Sequence, residues 1–108
     1  MEVEFEEVDS KKRLHYHLAA LFANNFTNHI LSSTDVLINK FKLKKKFFIP
    51  IANETFKKFQ SNKSKESQTG PAVRNDVKTL KKHEEILKKS NYLNLYKIIT
   101  KSIKKNDL

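Results

Sequence analysis

The chain has 108 residues, 38% of them hydrophobic with eight Phe, enough for one domain with its own core and too apolar for wholesale disorder. One Gly and two Pro leave little material for the tight turns of an all-β fold, and the absence of Cys excludes disulfides, thiolate catalysis and Cys-based zinc sites. The net charge of +10 is uneven: the first ten residues carry five acids and no base, and the remainder sets 22 Lys and Arg against 7 acids, a net +15.

Met1 to Val8 reads MEVEFEEV. Val3 and Phe5 alternate with Glu2, Glu4 and Glu6, the pattern of a half-buried strand. A lone strand is not stable, so residues 1–9 are either a tail or a remnant strand of another domain. The acidic start is the opposite of a signal peptide. With no Cys, it fits a cytoplasmic protein.

Asp9 or Ser10 can cap the next helix. From Leu14 to Thr34 the sequence LHYHLAALFANNFTNHILSST holds no Lys, Arg, Asp or Glu. Leu14, Leu18, Leu21, Phe22, Phe26 and Ile30 recur at helical spacing. A helix spared charge on every side is expected to be buried on most sides. It should continue through Val36, Leu37 and Ile38 as a long central helix. His, Asn, Thr and Ser occupy ten of its 21 charge-free positions, too much polarity for a membrane span.

A lysine-rich turn follows, around residues 39–46. Phe47, Ile51, Thr55 and Phe59, flanked by Phe48, Ala52 and Phe56, then predict a second amphipathic helix, with Pro50 in its first turn or kinking it. Residues 61–76, SNKSKESQTGPAVRND, form a connecting loop. Asn75 or Asp76 can cap a third helix bearing Val77, Leu80, Ile86 and Leu87. Asn91 can cap a fourth, with Tyr92, Leu95, Tyr96, Ile99 and Ile103. The expected fold is all-α: a compact bundle of about four helices around the long first one, spanning residues 10–108.

Three stretches together resemble a known family: Arg13 to His29 (RLHYHLAALFANNFTNH), Gln68 to Asp76 (QTGPAVRND), and Thr79 to His83 with Tyr96 beyond. They are similar to the C-terminal helical domain of Rossmann-like NAD(P)-dependent bacterial oxidoreductases. That domain has no assigned function and is similar to the C-terminal domain of phosphogluconate dehydrogenase. The resemblance implies a homodimer and a domain walling a substrate cleft. It also implies that NADP is bound by a Rossmann domain before Ser10. With one Gly and no glycine-rich turn, this chain itself is expected to bind no cofactor and to be inactive alone. In related hydroxyacid dehydrogenases the first helix carries KxxNN. Here Leu21-Phe22-Ala23-Asn24-Asn25 keeps the Asn pair but has Leu21 for the Lys, so a lysine acid is not carried over.

At about 100° per residue, His17, Asn24 and Asn28 fall within about 40° on the first helix, with Asn25 nearby. Such a stripe is either a hydrogen-bond network in the core or the lining of a cleft. In the cleft, His17 would donate a proton to a substrate carbonyl or polarise it. Asn24, Asn25 and Asn28 would orient the substrate, and Arg13 would orient His17 or bind an anion. Asn25, nearer the Leu14–Leu18–Leu21 side, is expected to be the structural member. Arg74 is a candidate for a ligand carboxylate or phosphate, although turn chemistry already explains Gly70 and Pro71. His15 and His17 point about 200° apart on a helix and cannot share a metal. Two rival readings are a basic helical nucleic-acid binder and a purely structural dimerisation module. Against the first, 20 of the 22 bases are Lys, whereas base readout favours Arg.

Overall fold

The computed structural model describes residues 9–105; the expected strand at Val3 and Phe5 lies outside them. Every regular element among the described residues is helical. The first helix has three segments without a break: α1 (Ser10–Ala20), a π-helical turn (Leu21–Phe26) and α2 (Thr27–Phe41). A 3₁₀ turn (Lys45–Phe47), α3 (Ile49–Gln60), α4 (Val77–Leu87) and α5 (Tyr92–Lys105) follow. The chain divides into two units, Met1–Ala52 and Asn53–Leu108, with the boundary inside α3.

The helix starts are written locally. Asp9 Oδ1 accepts the Lys12 N–H at 2.8 Å, satisfying one of the orphan donors of α1. Pro50 sits in the first turn of α3, where its missing N–H has no intrahelical partner to lose. Asp76 caps α4: its Oδ1 accepts the Thr79 N–H at 3.2 Å and its Oδ2 the Thr79 hydroxyl at 2.7 Å. At the start of α5, Ser90 Oγ accepts the Tyr92 N–H at 3.2 Å. The same hydroxyl donates to Leu87 O at 2.8 Å, so one side chain serves the end of α4 and the start of α5.

The ends of α2 and α3 and the turn before α4 share one device. Leu43 N–H bonds Ile38 O, Lys63 N–H bonds Lys58 O, and Asp76 N–H bonds Pro71 O, each at 2.9 Å and each reaching five residues back. The residue before each donor, Lys42, Asn62 or Asn75, has φ between 53° and 60°. This is the left-handed closure usually assigned to Gly. With its single Gly at position 70, φ 107°, the chain closes these turns with L-residues instead.

Burial is sparse. Among the described residues, Ile38, Ala72 and Leu80 are the buried hydrophobic ones. In the second unit α4 packs on α5, with Leu80, His83 and Leu87 of the one, and Leu93, Leu95 and Tyr96 of the other, buried or half-buried. The expectation that the first helix is buried on most sides is corrected. Leu14 is 66% exposed, Phe22 63% and Ile30 40%, and α1 holds no buried residue. Lack of charge made the helix compatible with burial, but much of its apolar row is exposed among the described residues.

Candidate functional site

The predicted polar residues of the first unit all lie on the continuous helix of residues 10–41. Arg13 and His17 are on α1, Asn24 and Asn25 in the π turn, and Asn28 in the first turn of α2. All are exposed in this chain. Asn25, expected to be the structural member, is as exposed as the others.

The π turn is what sequence spacing missed. A π turn closes i→i+5 where an α turn closes i→i+4, so it takes up about one extra residue, or roughly 100° of rotation. Uniform α spacing puts His17 and Asn28 about 20° apart; with the π turn between them they stand about 80° apart. The Asn24–Asn25 pair, by contrast, sits in the turn itself. Such single-turn π segments are frequent at functional sites. Phe22 and Phe26 meet edge to face across it, ring centroids 5.0 Å apart. Thr27 Oγ1 donates to Phe22 O at 2.6 Å. The only sequence hint is a Thr directly following an Asn pair and an aromatic.

In the second unit, Arg74 Nη2 lies 3.6 Å from Asp76 Oδ2. The guanidinium is thereby engaged at the helix cap, in keeping with a structural role for the QTGPAVRND turn. Hydrogen bonds from the Thr79 hydroxyl and backbone, with Arg74 adding its charge, hold the Asp76 carboxyl below its ordinary value of 3.8.

A further polar pair joins α4 and α5. His83 Nδ1 and Tyr96 OH are 2.8 Å apart, with the rings edge to face. Burial, and then the charge of Glu84, push the Tyr96 phenol above its ordinary value of 10.0. The two side chains share one hydrogen bond, whose donor is set by the His83 tautomer. These two residues belong to the motif that carried the resemblance, but their spacing gave no sign that they meet. Among the described residues no cluster of His, Asp or Glu could hold a metal. No described helix is long and apolar enough to cross a membrane.

The family described as a domain of unknown function (DUF2520) matches residues 1–103. The chain belongs to that family. No curated protein matches it. A solved structure from Bacteroides fragilis, BF3122, described as a putative NADP oxidoreductase, superposes with a TM-score of 0.83 at 34% sequence identity. The match covers 91% of this chain and 38% of BF3122, so the chain spans about two-fifths of that relative's length. The likeness agrees with the helical C-terminal domain that the sequence motifs suggested.

Proposed function

We propose that this DUF2520 chain is the C-terminal helical domain of an NADP-dependent oxidoreductase, and that it dimerises and forms one wall of the substrate cleft. The likeness to BF3122 over 91% of the chain carries the reading. The exposed polar face of the first helix supports it. NADP does not fit the residues present. With one Gly, the chain offers no glycine-rich turn to cradle a pyrophosphate. The nucleotide would be held by residues outside this chain.

On this reading His17 gives a proton to the substrate carbonyl oxygen or polarises it, because an imidazole can do either near neutral pH. Asn24 and Asn25 hydrogen-bond the substrate from the π turn, whose wider backbone spreads the pair. Arg13, one turn before His17, attracts an anionic substrate group, and Asn28 bounds the site on the α2 side.

The test is a chimera. The chain is fused to the part of BF3122 outside the matched 38%, and NADPH consumption is followed with a panel of small carbonyl compounds. Turnover is expected, with His17→Ala lowering kcat by about 100-fold or more, the usual contribution of a positioned proton donor. The unfused chain, expected to bind no NADPH in calorimetry, is the control. A chimera whose His17→Ala variant keeps full turnover removes His17 from the mechanism.

A further inference from the structure

Three hydroxyl side chains on the continuous helix of residues 10–41 bond back to its backbone, and one differs. Ser33 Oγ donates to His29 O at 2.9 Å and Thr34 Oγ1 to Ile30 O at 3.1 Å, each four residues back. Thr27 Oγ1 donates to Phe22 O at 2.6 Å, five residues back. The Thr27 backbone N–H goes instead to Asn24 O. The hydroxyl thus supplies the bond that ties Phe22 O across the π turn.

The π turn decides where the apolar side chains point. Leu14, Leu18, Phe22, Phe26 and Ile30 follow one another at intervals of four and are all exposed. In an unbroken α-helix each interval of four advances about 40°, so the row would wind about 160° from Leu14 to Ile30. The π turn falls inside the row and takes back roughly 100°, leaving a drift of about 60°. It turns a spiral of five apolar side chains into a single stripe, about 24 Å long at 1.5 Å per residue.

The occupant that fits this stripe is a second copy of the chain. The charge-free run of residues 14–34 lies in a chain of net charge +10. Two copies meeting along this run bring no Lys or Arg of the run together. A straight stripe is also self-complementary across a two-fold axis, as an isologous contact requires.

We propose that Thr27 is the positioning residue for self-association: its hydroxyl holds the π turn, and the π turn aligns the stripe on which the second copy docks. This rests on the dimerising role given above and adds the residue and the register that set it.

Sedimentation equilibrium on the full 108-residue chain tests it, with Thr27→Val, which keeps the shape and removes the donor, and Thr27→Ser, which keeps the donor. The dimer dissociation constant is expected to rise about tenfold or more in Thr27→Val, equivalent to losing one well-buried apolar contact. Thr27→Ser is expected to stay near the wild type. Deleting Asn25 within Thr27→Val removes the extra residue, lets an ordinary α-helix keep the stripe aligned, and is expected to restore the dimer. Circular dichroism confirms that each variant is folded. If Thr27→Val does not fold, the comparison passes to Thr27→Ala with and without the deletion. A dimeric wild type with an equally dimeric, folded Thr27→Val overturns the role of Thr27 and leaves the dimerising role standing. A wild type that is monomeric throughout overturns both.

Discussion

Asp76 shows how much one side chain can carry. It caps α4 through Thr79 and lies beside Arg74, and its carboxyl titrates below its ordinary value of 3.8. A carboxylate whose folded value is depressed adds stability that is present above the unfolded value and lost as the pH falls through the folded value. The contribution of Asp76 should therefore be complete at neutral pH and disappear below about pH 4. Asn also caps well. An Asp76→Asn variant, which caps without the charge, should be less stable than the wild type near neutrality and converge with it on acidification. Acid titrations of both by circular dichroism check this; superimposable profiles would mean that the cap charge adds nothing. Tyr96 offers a second case. Tyr96→Phe leaves the half-buried His83 without its hydrogen-bond partner and should cost about 0.5–1.5 kcal/mol, read from urea midpoints.

Among the elements, the helix ends are where this chain is strained. An L-residue in the left-handed region costs roughly 1–2 kcal/mol, partly offset against Gly by the greater freedom Gly has when unfolded. Lys42 holds φ 55° at the end of α2, with Leu43 N–H bonded to Ile38 O. Lys42→Gly should therefore raise stability by about 0.5–1 kcal/mol without altering the turn. Thermal melts of the variant measure it, and an unchanged or lowered midpoint contradicts the assignment of strain. Asn62, closing α3 in the same way at φ 60°, should gain less, because Asn tolerates this region better than Lys.

For the whole molecule the deciding features are charge and uncovered apolar surface. Contiguous exposed apolar surface marks an interaction site. If that site lies on the charge-free run, salt should favour association by screening the repulsion between two chains of net charge +10. Light scattering at low and high salt is expected to show a dimer that tightens as salt rises. A phosphate-binding protein would instead lose its partner steeply with salt, so the same series separates the oxidoreductase-domain reading from a nucleic-acid one.

The sequence by itself determined the all-α class, the long helix from residue 10 and the family, and narrowed two caps to Asp9 or Ser10 and to Asn75 or Asp76. These are legible because helical periodicity and capping are settled within a few residues along the chain. It gave no sign that the hydroxyl of Ser90 accepts the Tyr92 N–H at the start of α5. It also treated the first helix as uniform, since apolar spacing cannot show where i→i+4 closure gives way to i→i+5. Only the structure decided that the Asn24–Asn25 pair sits in a π turn, that His83 meets Tyr96, and that Leu14, Phe22 and Ile30 of the charge-free helix are exposed among the described residues. The reason is physical: freedom from charge permits burial, but burial itself depends on whether another surface arrives to exclude the water.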